Sequence, residues 1–403
     1  MASQSDAKSY PLETTTEAEL RALSQALWRW HECPAARGSG PGCEAACPWP
    51  RHPRLAQFHA LYRQLAASYV PDMDYGRSPA LRHHGDLFDI IKSLKAQPDV
   101  SRTQLMSQYF DTRQAANDSG GEEMPTPEDQ ERAFSLAARV MTTVACSGED
   151  AASAVLELGT EPVPWRGETS ISQFLLAAFP LANTLSLASL PGSRRNQDVR
   201  LFLSAETITK IGHLRLQPTD DIRSHLNLDS KSKAVQIYQQ TALLKEHLRA
   251  TEHLADTATI AETIQVGNIP RQLALEVLDS LNSILFPPMT KSHGILRALV
   301  SKGVFDRDML QLESRDVRHR HEVEGEYRYL ASKLRDLYDE VENPTPRGRF
   351  ERWFERRIAQ RYFMMATFGG LVVAIILGIL GLAVGIFQAW VAYQQWKFPV
   401  GGS

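Results

Sequence analysis

The stretch "GGLVVAIILGILGLAVG", residues 369–385, carries no charge and no proline, in a chain that is otherwise polar. From 363 to 390 the chain stays uncharged, and Gln388 is its one strongly polar residue. A helix needs roughly 20 apolar residues to cross about 30 Å of hydrocarbon at about 1.5 Å per residue. This run exceeds that, and tilt or overhang into the interface takes up the surplus. Its flanks are unequal. Arg347, Arg349, Arg352, Arg356, Arg357 and Arg361 precede it, whereas Lys397 is the only basic residue after it. That asymmetry predicts that the N-terminal side faces the cytosol. Trp353, Phe354 and Tyr362 on one side, and Trp390, Tyr393 and Trp396 on the other, suit the two interfaces. Core helices of soluble proteins seldom run this long without a polar face. The expected layout is a basic juxtamembrane segment at 344–361, a transmembrane helix at 362–391 and a short tail at 392–403.

The rest of the 403-residue chain has an ordinary globular composition: 43% hydrophobic and 23% charged residues are enough to build a core. A formal charge of −3 supplies no field for holding nucleic acid, and none is expected as a partner. Four cysteines are too few for a disulfide scaffold. The first residues, "MASQSDAKSYPLETTTEAEL", lack the apolar segment of a signal peptide. A span so near the C-terminus then predicts a tail-anchored, single-pass protein with its body in the cytosol. Its length favours the endoplasmic reticulum or the secretory pathway.

Within the span, Gly370, Ala374, Gly378, Gly381, Gly385 and Ala389 are spaced 4, 4, 3, 4, 4. Small residues then share one helix face, and Gly381 with Gly385 forms a GxxxG pair. Two readings fit: a face for a second copy, or the ordinary abundance of Gly and Ala in spans. A second uncharged stretch, "ISQFLLAAFPLANTLSLASL" at 171–190, contains Pro180. Proline ends or kinks a helix, so a short buried helix, a loop and another short element are expected there.

The body reads as mainly α. Thr14 and Glu17 have capping-box spacing before Leu20, Leu23 and Leu27. Pro53 opens a helix bearing Phe58, Leu61 and Leu65. Ser78 and Pro79 start one leading to Leu87 and Ile91, and Thr126 with Pro127 starts another, through Phe134 and Val140. One β-hairpin is expected near 225–238, with Leu226, Leu228, Val235 and Ile237 alternating around a polar turn. Val323, Tyr327, Leu330, Leu334, Leu337 and Val341 are spaced 4, 3, 4, 3, 4, as in a heptad seam. This predicts an amphipathic stalk helix at 307–343, either packed on the body or pairing as a coiled coil. The expected regions are therefore an N-terminal helix with a Cys/Gly/Pro-rich loop at 1–52, a helical body at 53–306, and the stalk.

Chemistry is sparse. Cys33, Cys43, Cys47 and His52 offer thiolate and imidazole ligands, but their spacing fits no standard zinc finger. They remain candidates beside a default of free cysteines, and no cofactor is expected. Asp72 and Asp74 form a turn-like pair. His83, His84, His319, His321 and Glu322 are assigned to charged helix faces. There is no nucleophile elbow, kinase set or phosphate loop, which leans the reading away from an enzyme.

Four patches carry a resemblance: "WRGETSISQFLLAAFP" (165–180), "LRLQPTDDIRSHLNLD" (214–229), "VQIYQQTALLKEHLR" (235–249) and "IPRQLALEVLDSLNSILFPP" (269–288). With the final "AWVAYQQWK", they make the chain similar to an uncharacterised family of filamentous-fungal proteins with a C-terminal transmembrane helix. No activity is established for that family, so the resemblance implies a fold and an anchor. The expected function is a membrane-anchored interaction or scaffold module. Its partners are the bilayer, an unidentified protein, and a second copy held through the span and stalk. The alternative is a membrane-localised enzyme. A convergent polar pocket would favour the enzyme, and an exposed apolar groove the interaction module.

Overall fold

The computed structural model describes residues 11–33, 47–72, 77–116, 123–147, 162–181, 185–186, 202–229, 232–255, 258–311, 318–319, 322, 326–342 and 363–397. The chain divides into two units, Met1–Glu342 and Asn343–Ser403.

The first unit is mainly α, as the amphipathic spacing predicts. Among the described residues its α-helices are α1 (Glu17–Trp28), α2 (Ala56–Ala67), α3 (His84–Ala96), α4 (Arg102–Ala116), α5 (Pro127–Thr142), α6 (Ile171–Ala178), α7 (Ala205–Lys210), α8 (Thr241–Ala250), α9 (Ile260–Val266), α10 (Arg271–Asp279), α11 (Lys291–Ser301) and α12 (Ala331–Glu342). One apolar cluster runs through them, from Leu12 to Val341.

Several boundaries move from their expected places, each for a local reason. The capping box of α1 is Thr16 with Glu19, two residues later than expected, and both reciprocal bonds are present. Pro53 lies inside a 3-10 turn, Trp49–Leu55, that precedes α2. The start of α3 is set by the His83 side chain, whose Nδ1 accepts from the Asp86 N–H at 3.2 Å, and not by Ser78. Proline at the first helical position of α5 and the Thr126 cap are as expected. The stretch at 171–190 gives α6 and the short strand β3 (Leu185–Ser186).

The expected hairpin forms between β5 (Leu228–Asp229) and β6 (Ala234–Tyr238), with Leu228 opposite Val235. It belongs to a larger sheet, because β4 (Arg215–Thr219) pairs in parallel along the other edge of β6. Two-residue pairs complete the strands among the described residues: β1 (Cys146–Ser147) with β2 (Val163–Pro164), and β3 with β7 (Glu326–Tyr327).

The stalk is corrected. Residues expected in one helix at 307–343 form a 3-10 turn (Arg307–Leu310), the strand β7 and the shorter α12. Tyr327, Leu330, Leu334, Leu337 and Val341 are all at most 2% exposed; Val323 lies outside the described residues. Their heptad spacing therefore serves the core and offers no seam to a second copy. Polar contacts fix the segment's described parts. Lys245 Nζ holds Asp308 Oδ2 at 2.6 Å and Gln311 O at 2.9 Å. Arg271 grips Glu322 through two bonds, of 2.7 and 3.2 Å, and Asp279 binds Arg318. Glu276, 1% exposed, accepts the backbone N–H groups of Arg328, Tyr329 and Leu330 at 2.7, 2.8 and 2.9 Å. Burial pushes its carboxyl above the usual range, and those donors pull the other way.

The second unit contains α13 (Phe363–Lys397), which continues past the expected limit at 391.

Glu276→Ala strands three N–H groups beside a buried cavity. Equilibrium denaturation of the full chain should show a loss of about 3 kcal/mol or more, with Glu276→Gln losing less. A loss below about 1 kcal/mol would mean that water replaces the carboxylate.

Candidate functional site

The apolar segment of α13, Gly370–Gln394, spans 25 residues and has no buried residue. At about 1.5 Å per residue this is about 38 Å, enough to cross a bilayer. Leu377, Ile379, Leu380, Leu382 and Phe387 are 57–67% exposed. A Cβ added at Gly370, Gly378, Gly381 or Gly385 would meet nothing within 4 Å, so the small-residue face is open. Arg352, Arg356, Arg357 and Arg361 lie outside the described residues.

The described residues of the cysteine–histidine region pack among aromatic rings. Cys33 is half-buried and Cys47 buried, and Cys43 lies outside the described residues. Among the described residues no group of three or more His, Cys, Asp or Glu is placed to hold a metal. His52 instead joins an aromatic cluster, with its ring 4.6 Å from His59 and 5.7 Å from Trp49. Trp49 meets Trp30 edge-on at 5.2 Å. His84, expected on a solvated face, is 2% exposed; its Nε2 binds Thr14 O at 3.0 Å and its Nδ1 faces Tyr62 Oη. Asp72 accepts the Thr126 hydroxyl at 3.1 Å. His319 and Glu322 are in a turn, joined by the His319 N–H at 2.7 Å.

Three further histidines are buried. His225 accepts the Tyr238 N–H at Nδ1 and faces the Ser280 hydroxyl through Nε2, at 3.1 and 2.7 Å. His247 Nδ1 faces Trp28 Nε1 and Asn268 Nδ2, each at 3.1 Å. Burial holds His59, His225 and His247 neutral, with pKa values pushed down to about 3. Asn268 Oδ1 in turn accepts from Lys95 Nζ at 2.8 Å, and burial lowers that lysine to about 7.

The polar site that sequence reasoning missed lies where α5 ends. A pocket of about 140 Å³ is lined by Leu61 and Leu65 of α2, Arg139 and Thr143 at the end of α5, Ala145, Thr219 at the end of β4, and Asp220 and Asp221 just after it. Thr143 closes α5 in the left-handed conformation, φ 56°. Its hydroxyl donates to Thr142 O at 2.7 Å and meets Tyr238 Oη at 2.9 Å, so the tyrosine supplies the second proton. Asp221 accepts the N–H groups of Arg223 at 2.8 Å and Ala145 at 3.3 Å. Burial raises its pKa despite them. Asp220 Oδ1 accepts the side-chain amides of Gln239 and Gln240 at 2.9 and 2.6 Å. Burial lowers the pKa of Arg139, while Cys146 and the two aspartates act against that. Asp220 and Asp221 are adjacent in the sequence, and the distance in sequence to Arg139 hid the pocket. A second, larger hollow of about 330 Å³ contains Arg271, Glu322 and Arg328, but Arg271 and Glu322 answer each other there.

No family model, curated protein or solved structure matches the chain.

The buried histidines set an acid limit. Each binds a proton in the unfolded chain near pH 6.5 but in the folded chain only near pH 3. Their stabilisation is complete above about pH 6.5 and is lost as pH falls below it. Each contributes about 1.4 kcal/mol per pH unit to that loss. Denaturation of the full chain, roughly between pH 6 and pH 4, should show His59→Phe flattening the slope by that amount. An unchanged slope would mean that His59 takes up its proton without unfolding.

Proposed function

We propose that the protein is anchored in a membrane by α13, with the Met1–Glu342 unit facing the cytosol as an interaction or scaffold module. The apolar segment Gly370–Gln394, in which no residue is buried, carries this reading, because such a surface is stable only in lipid or against another apolar face. The arginines between 347 and 361 support the orientation and can bind anionic headgroups. The resemblance to the filamentous-fungal family is part of the same proposal. It is carried by the patches from Trp165 onward and by the shared position of the anchor. The endoplasmic reticulum or a later secretory membrane is the proposed location.

A second copy is proposed to pair through the small-residue face of α13 alone, since the heptad residues of α12 are spent on the core. The large exposed apolar side chains of the described body, Val70, Leu176, Leu181, Ile211 and Met289, come from four segments, with Leu176 and Leu181 together near the end of α6. A protein partner would therefore be met by a mainly polar surface. The pocket around Arg139 favours the second reading, in which the body handles a small molecule.

Full-length protein expressed with microsomes should resist carbonate extraction, and an N-glycosylation acceptor added after Ser403 should be modified. Leu377→Arg with Leu380→Arg should release the chain to the soluble fraction, since each charge at the centre of a span costs about 3 kcal/mol. Release of the unaltered protein by carbonate would end the anchoring proposal. In a two-hybrid membrane assay, Gly381→Ile with Gly385→Ile should abolish self-association; an unchanged signal would remove the dimer.

A further inference from the structure

Opposite charges line the pocket at the end of α5 without touching. Arg139 is half-buried and makes no hydrogen bond or ion pair with any described residue through its guanidinium, although Asp221 and Asp220 lie near enough to act on it electrostatically. Leaving a half-buried guanidinium unmatched costs free energy. Across the pocket, Asp220 receives both of its glutamine amides on Oδ1. Oδ2 has no such donor among the described residues. The two amides hold the carboxylate in place, and Asp221 beside it is fixed by two backbone N–H groups. Leu61, Leu65 and Ala145 form the apolar wall.

The charge pattern selects the occupant. A bare anion would meet Arg139 but would be repelled by two aspartates. A metal cation would face the guanidinium, and a simple amine would leave Arg139 unmatched. A molecule with both charges answers both sides. The size narrows it further. A cavity of about 150 Å³ accepts benzene, with its six carbon atoms. The 140 Å³ here therefore suits roughly six to eight non-hydrogen atoms. We infer that this pocket binds a free α-amino acid with a small aliphatic side chain. Its carboxylate lies on Arg139, its ammonium on Asp220 and Asp221, and its side chain against Leu61 and Leu65. Arginine can grip a carboxylate through two parallel N–H bonds, while the aspartates supply only acceptors, the complement of an ammonium. Neither Thr143 nor Tyr238 has a hydroxyl free for a reaction, because the two bind each other. The site is one of recognition, and it stands whether or not α13 enters a membrane.

The test uses the full chain in phosphatidylcholine nanodiscs, melted with L-alanine or L-valine, and with propionate or ethylamine as half-ligands. At amino acid hundredfold above Kd, Tm should rise by about 4 °C. The half-ligands should leave it unchanged. Arg139→Gln should lose the shift while melting, without ligand, at or above the temperature of the unaltered chain, since Arg139 bonds nothing through its guanidinium. Asp220→Asn should lose it too, and the exposed Asp89→Asn should keep it. A chain that melts at one temperature with and without both amino acids overturns the inference. So does a shift that survives Arg139→Gln, or one reproduced by propionate alone.

Discussion

A carboxylate buried on α10 determines where the end of the first unit lies. Glu276 takes three consecutive backbone N–H groups just ahead of α12, at the end of a helix where donors lack partners and negative charge is favoured. The contacts then form a closed loop. From α12, Lys333 reaches the carbonyls of Arg223 and His225, the latter at 3.0 Å. His225 contacts Ser280 at 2.7 Å, and Ser280 donates to Val277 O of α10 at 2.7 Å. The loop ties α10, α12 and the turn after β4 together before any apolar contact is counted. The turn after β4 carries Asp220 and Asp221, so the geometry of the pocket depends on the same loop.

Among the described residues, most other buried charge in this unit is matched locally, while Lys95 is held by neutral acceptors. Lys245 with Asp308, Arg271 with Glu322, and Arg318 with Asp279 are close pairs. Asp129 accepts from the Tyr69 hydroxyl and the Ala80 N–H at 2.9 and 2.8 Å. Arg102, 1% exposed, binds Glu131 at 3.2 Å and stacks 5.6 Å from the Trp165 ring. Such pairs add little net stability, because desolvation offsets their attraction, but an unmatched charge is costly. They therefore act chiefly by excluding other arrangements. Arg139 departs from this pattern where there is also space beside it, and the space beside an unmatched charge is what distinguishes a binding site from a structural pair.

What was legible in the sequence followed from local physics. Helix faces were readable from apolar spacing, and the hairpin from alternation around a polar turn. The Thr126–Pro127 start was visible because cap and proline act within one turn. Where a rule had two nearby solutions the position slipped: Thr14, Thr15 and Thr16 all precede α1, and only Thr16 has Glu three residues on at Glu19 with both bonds made. The parallel strand β4 was missed because its partner is set by tertiary packing and no turn announces it. The stalk failed for a different reason. A spacing of 3 and 4 marks an apolar face, and the same face fits a coiled coil or a core. Only the distant partners Arg271, Glu276 and Asp279 decide between them, and pairings across tens of residues leave no periodic trace. The same holds for the 80-odd residues between Arg139 and Asp220.

The two units solve the problem of backbone polarity in opposite ways. The first unit spends side chains on it: Glu276, Asp221 and His225 all satisfy backbone groups that its short elements leave open. In α13 the main chain satisfies itself over 35 residues, so its side chains need carry no polar group at all. That independence is what hydrocarbon demands of a spanning segment. Each glycine inside a helix costs about 1 kcal/mol in water, and Gly378, Gly381 and Gly385 have no neighbour that a larger side chain would disturb. Nothing within the helix offsets that cost. In lipid, where leucine gains little by being buried against another helix, close backbone approach is the contact that remains to be gained. Bare glycine is the residue that permits it.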